Sequence, residues 1–283
     1  EDDMRAGYYR PMYYHTLKAG LDAEGNLVAW KHVIVGQSIL SGTAFEGFLV
    51  KNGIDATSVE GAANLPYAIP NLAVELHTPT IGVPVQWWRA VGSTHTAYAT
   101  ECFLDEVARA AKKDPFELRR SLLAKHPRHR AVLELVAQQA GWGQAKPGIA
   151  RGIAVHESFN TFVAQVVEVS GSESSLKIER VVCAVDCGVA VNPNIIAMQM
   201  ESGIGYGLAA ALDGAITLKD GIVEQSNFHD YPVLRMNQMP RIGVFIVPSA
   251  EKPTGVGEPG TPVIAPALAH AILALQGQSI RVP

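Results

Sequence analysis

One carboxylate set among backbone-bending residues constrains this chain more than any other feature. Gly255-Val256-Gly257-Glu258-Pro259-Gly260 stands immediately ahead of an apolar run from Val263 to Leu275. Glycines on either side permit positive φ and close approach of the main chain, while Pro259, Pro262 and Pro266 remove donors and stiffen the path. The apolar run places Ala267, Leu268, Ala271, Ile272 and Leu275 at three-to-four spacing, which predicts a helix with Glu258 near its N-terminal end. A helix dipole there favours an ionised carboxylate. Such a group can take a proton, so one reading is a general base; the other is a glutamate that only caps the helix.

The 283 residues, 48% apolar and 18% charged, can bury one large core or two modest ones. A net charge of -4, with 23 Lys and Arg thinly spread, offers no field for a nucleic-acid backbone. The dense basic spot His126-Pro127-Arg128-His129-Arg130 flanks a helix start and reads as solvated surface. Uninterrupted apolar stretches are too short for a membrane span. Cys102, Cys183 and Cys187 are an odd number and too sparse for a disulfide scaffold; Cys183 and Cys187, four residues apart along a strand, would lie about 13 Å apart, too far for one metal. Buried, unreactive thiols and no metal-ligating set are expected. The opening Glu1-Asp2-Asp3-Met4-Arg5 is neither a start methionine nor a signal peptide, which predicts a cleaved subunit or the second of two pieces.

Tyr13–Leu21 and Leu27–Val35 read as a hairpin around Asp22-Ala23-Glu24-Gly25-Asn26. Residues 36 to 70 read as loops with one short helix, and Ala73–His77 as a strand. Thr96–Ala111 carries apolar residues at helical spacing, with Glu101, Asp105 and Glu106 ahead of Arg109, Lys112 and Lys113, an amphipathic helix with charges in dipole order. Asp114-Pro115 opens a second helix to Leu123, and a third runs from Arg128 to Ala140 and stops at Gly141. Gly152–Ser170 and Leu176–Asp186 read as two strands around a Gly-Ser-Glu-Ser turn. Pro193–Leu212 follows as a small-residue helix, residues 215 to 225 as a hairpin and Arg241–Val247 as a strand. Strands and helices mix without strict βαβ alternation, so the class is α+β, with portions 1–145 and 146–283.

Three blocks occur in register. They are Trp87-Trp88-Arg89-Ala90-Val91-Gly92-Ser93-Thr94-His95; then Val185-Asp186-Cys187-Gly188-Val189-Ala190-Val191-Asn192-Pro193 with Gln199-Met200-Glu201-Ser202-Gly203 and Gly205-Tyr206-Gly207; then Gly255-Val256-Gly257-Glu258-Pro259. Together they resemble the C-terminal part of the molybdopterin-binding large subunit of the molybdenum hydroxylases, the xanthine dehydrogenase and aldehyde oxidoreductase family. Asn227-Phe228-His229-Asp230-Tyr231-Pro232 places the likeness nearest the isoquinoline 1-oxidoreductase β-subunit branch.

The resemblance implies a molybdenum hydroxylase large-subunit fold and hydroxylation of an electron-poor carbon of an N-heteroaromatic compound or aldehyde, with water-derived oxygen and hydride transfer to molybdenum. Glu258 matches the family's catalytic base. Arg89 matches an arginine beside the cofactor, with backbone N–H groups of Arg89, Ala90, Val91 and Gly92 offered to oxygens there; without the family it reads equally as a salt-bridge partner. Gln199 matches a glutamine at the pterin, and Gly257 belongs to the same cofactor-binding set; alone, Gln199 reads as a solvent-facing helix residue beside Gly203, Gly205 and Gly207. Asp186, Gly188, Asn192 and Pro193 are assigned to structure, Asn192 as N-cap and Pro193 at the first helical position. His95, His156 and His229 can line a pocket or be satisfied elsewhere, and Trp87 and Trp88 can wall a flat substrate or anchor a core.

The sequence lacks the Gly-Gly-Phe-Gly and Gly-Gln-Gly segments with which the family holds the pterin and its nucleotide tail. The resemblance therefore implies a site completed by an upstream N-terminal portion of the large subunit. It also implies the cytosine dinucleotide form of the cofactor and [2Fe-2S] clusters on a partner small subunit, since no cysteine motif for them occurs here. A non-catalytic paralogue serving as a scaffold is the alternative.

Overall fold

The computed structural model describes residues 5–144, 146–172 and 175–277. Strands β1 (Tyr13–Leu21) and β2 (Leu27–Gly36) form the expected antiparallel hairpin. Its turn is held by the Asp22 carboxylate, which accepts from the N–H groups of Glu24 (3.1 Å) and Asn26 (2.7 Å), with Gly25 at φ 75°. The loop region that follows contains a one-turn helix α1 (Glu46–Leu49) and a short hairpin of β3 (Val50–Lys51) and β4 (Ile54–Asp55). Strand β5 (Asn71–His77) then adds to β2 in parallel.

Helices α2 (Ser93–Ala110), α3 (Pro115–Leu122) and α4 (Pro127–Ala140) come next. The Asp114 carboxylate caps α3 by accepting from Phe116 N (2.9 Å) and Glu117 N (3.1 Å), and Gly141 ends α4 at φ 63°. Strands β6 (Ala150–Ser158), β7 (Thr161–Ser170) and β8 (Lys177–Asp186) precede the long helix α5 (Pro193–Leu212), whose N-cap is Asn192. A small hairpin of β9 (Leu218–Lys219) and β10 (Ile222–Val223), strand β11 (Arg241–Ile246) and helix α6 (Ile264–Gln276) complete the order.

The stretch expected as one strand from Gly152 to Ser170 is two. Phe159 and Asn160 turn the chain at φ 54° and 59°, so β6 and β7 pair as a hairpin. Paired left-handed residues suit the right-handed twist of the strands. Of the turn expected between β7 and β8, Glu173 and Ser174 lie outside the described residues.

The sheet order β11-β8-β7-β6 is antiparallel except at β11 and β8. Its two central strands are buried on both faces, and alternate residues feed opposite cores. Ala164, Val166, Val182 and Ala184 pack with Trp30, Leu104, Leu133 and Val136 from the hairpin and α2 to α4. Val163, Val167, Val181, Cys183 and Val185 pack with Met200, Ile204, Leu208, Ile264 and Leu268 from α5 and α6. By length and composition alone α5 could cross a bilayer; Glu201 interrupts it, and Gly203, Ile204, Gly207 and Leu208 are buried.

The acids of α2 are not the surface row expected. Glu101 is buried and accepts from Arg119 Nε (2.9 Å), Tyr67 Oη (2.5 Å) and Val155 N (3.0 Å), while Asp105 accepts from Arg119 Nη1 (2.6 Å). The basic spot is likewise partly internal. Arg128 grips Asp186 through two bonds of 2.8 and 2.7 Å over the Phe162 ring, and His129 is buried. The three cysteines are buried and free. Burial pushes the Cys183 thiol up to about 12, beyond easy ionisation.

Candidate functional site

The first segment of the site is the turn that feeds α2. Ala90 and Val91 both take left-handed backbone, φ 71° and 51°. For a β-branched residue this is a steric outlier, and each such residue costs about 1–3 kcal/mol. The turn is held by Val91 N donating to Trp88 O (2.8 Å) and by Thr94 Oγ1 donating to Val91 O (2.8 Å). Gly92 is demanded by proximity rather than by torsion, because a Cβ there would lie 1.6 Å from Thr57 O. Gly92 and Ser93 donate their N–H groups to Glu60 Oε1, at 2.7 and 3.2 Å.

This differs from the expectation that every N–H from Arg89 to Gly92 faces a ligand. Those of Val91 and Gly92 are engaged inside the chain, so they cannot also be offered outward. The N–H of fully buried Ala90 has no acceptor among the described residues.

Arg89 joins this turn to two distant segments. Its Nε donates to Gly257 O (2.9 Å), Nη2 also reaches Gly257 O, Nη1 donates to Ser202 Oγ (3.0 Å), and Nη2 lies 3.4 Å from Gln199 Oε1. Gln199 and Ser202 are three apart on α5 and therefore share a face. The same fork that would make Arg89 a plain salt-bridge partner is instead spent on neutral oxygens, leaving its charge without a carboxylate mate in these contacts.

The glutamate segment is docked onto α5 by small residues. A Cβ on Gly203 would lie 3.1 Å from the Gly260 carbonyl carbon, and one on Gly207 would lie 2.4 Å from Ile264 Cγ2. Thr161 Oγ1 donates to Gly255 O (2.7 Å) and Gln165 Nε2 to Gly260 O (2.8 Å), fixing both ends of the loop. Glu258 is half-buried between them, and its carbonyl accepts from Thr261 N (2.9 Å). Helix α6 begins six residues later, at Ile264. Helix-dipole effects fade within the first turn, so the expected dipole stabilisation of Glu258 does not hold it; the loop anchors do.

Glu258 acts electrostatically on a second carboxyl, that of Glu60. Burial raises the Glu60 pKa to about 7, opposed by the Gly92 and Ser93 N–H groups and reinforced by Asp55 and Glu258. Sequence reasoning missed Glu60, whose partners are more than thirty residues away. It also left Ser202 and Tyr206 unassigned, although their helical spacing from Gln199 was available.

Aromatic rings flank the turn. Trp88 packs against Tyr206 at 4.8 Å with the Arg10 guanidinium also over its ring, while half-exposed Trp87 meets Phe45 edge-on. The histidines divide. His95 stacks on Tyr13 at 3.6 Å and joins a chain of imidazoles, His95 to His15 (3.2 Å) and His15 to His32 (2.8 Å). Burial holds His15 down to about 4 and His156, deep in the protein beside Gly61, down to about 4. His229 is solvent-facing beside Asp230.

The atoms left open have one chemistry. The Arg89 guanidinium and the Gln199 amide nitrogen are donors on half-buried side chains, and Gly255 leaves free space where a side chain would stand. An anionic, oxygen-rich cofactor fits that set. Among the described residues no cluster of three or more His, Cys, Asp or Glu side chains is arranged to hold a metal directly, so a metal here would have to arrive already carried by such a cofactor.

Comparison with known proteins identifies the family. The chain is 33% identical over 99% of its length to isoquinoline 1-oxidoreductase subunit beta of Brevundimonas diminuta, of which it covers 37%. It is 27% identical over 99% of its length to the membrane-bound aldehyde dehydrogenase [pyrroloquinoline-quinone] of Gluconacetobacter polyoxogenes, of which it covers 40%. The chain thus spans about two fifths of the length of these relatives. The crystal structure of quinoline 2-oxidoreductase from Pseudomonas putida 86 superposes with a TM-score of 0.77 at 12% identity, covering 98% of this chain and 61% of that one. That likeness is one of fold, and the fold is the large-subunit architecture expected. Residues 1–123 and 95–240 each match the molybdopterin cofactor-binding domain, and the turn, Arg89 and Gln199 all fall inside those matches. With its donors gathered in the matched segments, the chain belongs to the molybdopterin cofactor-binding domain family.

Proposed function

We propose that this chain is the catalytic C-terminal portion of a molybdenum hydroxylase that oxidises an electron-poor carbon of an N-heteroaromatic compound or an aldehyde. The observation that carries the reading is the Arg89 fork, which draws Gln199, 110 residues away, and the Glu258 loop, 168 residues away at Gly257, to the cofactor turn. Arg89 comes from portion 1–145 and Gln199 and Glu258 from portion 146–283, so each contributes to one site. Arg89 and Gln199 would hold the molybdopterin, with the buried Ala90 and the Val91 and Gly92 backbone shaping the turn and Gly257 giving it room. When bound, the cofactor supplies a two-electron acceptor.

Glu258 is the base. In the overall change a C–H bond breaks and a C–O bond to a water-derived oxygen forms, two electrons leave to the cofactor and two protons are released. The half-buried carboxylate, whose loop is anchored by Thr161 and Gln165, would take the first proton. Trp88 and Tyr206, tilted against each other beside Arg89, supply aromatic surface next to the turn that suits an aromatic substrate. The Glu258, Arg89 and Gln199 set is complete, which favours a working enzyme over a scaffold paralogue. The cofactor is read as the cytosine dinucleotide form. An upstream portion of the large subunit completes its site, and a partner small subunit bearing [2Fe-2S] clusters removes the electrons.

Turnover of a quinoline-type heterocycle and of an aromatic aldehyde in ¹⁸O-labelled water by the complete enzyme tests this. Label in the product, with molybdenum in the preparation, is expected; unlabelled product or a preparation without molybdenum contradicts it.

A further inference from the structure

We propose that Glu60 is a positioning residue for the cofactor turn, its carboxylate holding the strained Ala90–Val91 pair in place by accepting both N–H groups at the open end of α2. The inference rests on the reading of this turn as a cofactor holder. Four observations carry it. Glu60 Oε1 alone receives Gly92 N at 2.7 Å and Ser93 N at 3.2 Å, two of the donors a helix start leaves unmatched. The segment bearing Glu60 is clamped against the same turn. Thr96 Oγ1 donates to Glu60 O at 2.6 Å, and Gly92 packs so tightly on Thr57 O that no side chain fits there. The two residues just ahead of Gly92 stand in left-handed backbone that neither Ala nor Val adopts unaided. Finally, buried Ala90 keeps an N–H with no acceptor among the described residues.

Glu60 therefore does by a side chain what a glycine-rich turn would do by torsional freedom. It consumes the two N–H groups next to α2 and stabilises the left-handed Ala90–Val91 backbone from which Arg89 reaches Gly257, Ser202 and Gln199. The titratable groups around it are Asp55 from the β4 end, the neutral Tyr13 hydroxyl from β1 and Glu258 from the opposite loop. Arg89 does not pair with it, because its fork is turned toward Gly257, Ser202 and Gln199.

The test uses the complete enzyme with the polypeptides that co-purify, and three variants. Glu60→Gln keeps an oxygen that can accept both N–H groups, Glu60→Asp withdraws it by one methylene, and Glu60→Ala removes it. Amide hydrogen exchange across residues 90–97 is read first. At least a tenfold loss of protection is expected in Glu60→Ala, a partial loss in Glu60→Asp, and near-parental protection in Glu60→Gln. Molybdenum content per enzyme is read second, with the same ranking and a fall of more than fivefold in Glu60→Ala. Unchanged exchange and unchanged metal in Glu60→Ala overturn the inference. So does Glu60→Gln failing as badly as Glu60→Ala, since that marks a charge effect rather than a clamp. If Glu60→Ala does not fold, Glu60→Asp decides by the same two readouts. A parental enzyme without molybdenum removes the cofactor reading, and hydrogen exchange alone then decides whether Glu60 clamps the turn.

Discussion

Replacing Arg119 with methionine should loosen the whole approach to the cofactor turn, even though Arg119 touches no part of it. Its guanidinium is fully buried and donates to Glu101 Oε2 (2.9 Å), Glu101 O (3.0 Å), Asp105 Oδ1 (2.6 Å) and Pro115 O (3.1 Å). Burial alone would lower the Arg119 pKa, but Glu101 and Asp105 outweigh it and the net shift is upward. Methionine fills similar volume, so little of the effect is cavity. What remains is a buried Glu101 carboxylate that keeps Tyr67 and Val155 N but loses its counter-charge, a situation costing roughly 3–5 kcal/mol. At about 1.4 kcal/mol per decade, local opening of α2 and β6 should rise roughly 100- to 3,000-fold. Hydrogen exchange at the amides around Glu101 and at Val155 in the complete enzyme measures this directly. Adding Glu101→Gln to Arg119→Met should restore much of the protection, because the fully buried orphaned charge is then gone, while Asp105 keeps His270 Nδ1 at 3.2 Å. A change under tenfold in the single variant, or no recovery in the double, would show that the buried ion pair does not hold α2 and β6 together.

Two further outcomes follow from contacts near the site. Alanine on α5 should be graded by what its Cβ meets: Gly207→Ala drives into Ile264 and Thr261 O and should cost about 1–3 kcal/mol with a matching fall in kcat, Gly203→Ala should cost less, and Gly205→Ala should be tolerated because it meets only the flexible end of Met239; kinetics and thermal unfolding of the three check the order. Glu60 gives a pH signature: its pKa is raised from 4.5 to about 7 on folding, so the native state binds the proton more tightly, stability is highest at and below pH 4.5, falls as pH rises toward 7 and is flat above. The slope amounts to about 3 kcal/mol over that window and should vanish in Glu60→Gln; a parental enzyme as stable at pH 7 as at pH 5 once Glu60→Gln is subtracted contradicts the assignment.

The elements legible from sequence were those whose ends are written locally. Asp114-Pro115, Asn192-Pro193 and Gly141 carry their own caps and stops, and α3, α5 and α4 begin or end there. The β6–β7 turn was not legible, since Phe159-Asn160 lacks the glycine that usually marks paired left-handed residues, and Asn160 with the polar flanks Glu157, Ser158 and Thr161 is too weak a signal to separate two strands. Acid-before-base order on α2 was misleading for a related reason: the same pattern arises whether Glu101 and Asp105 meet water or a buried arginine from another helix. At the site, Arg89, Gln199 and Glu258 stood out through motifs that fall within short windows. Glu60 did not, because its meaning comes from N–H groups that only the folded chain brings to it. The dipole argument for Glu258 failed on distance, since the helix begins at Ile264, one residue into the apolar run already readable from Val263, and a dipole does not reach six residues back.

If Glu258 removes a proton while Arg89 and Gln199 hold the cofactor, chemistry and retention are separable. Steady-state turnover of Glu258→Gln alongside its molybdenum content separates them in one preparation. Metal should stay within twofold of the parent while kcat falls by about 100-fold or more, the scale of a lost general base. A variant that keeps its metal and turns over within a few-fold of the parent would remove Glu258 from the chemistry.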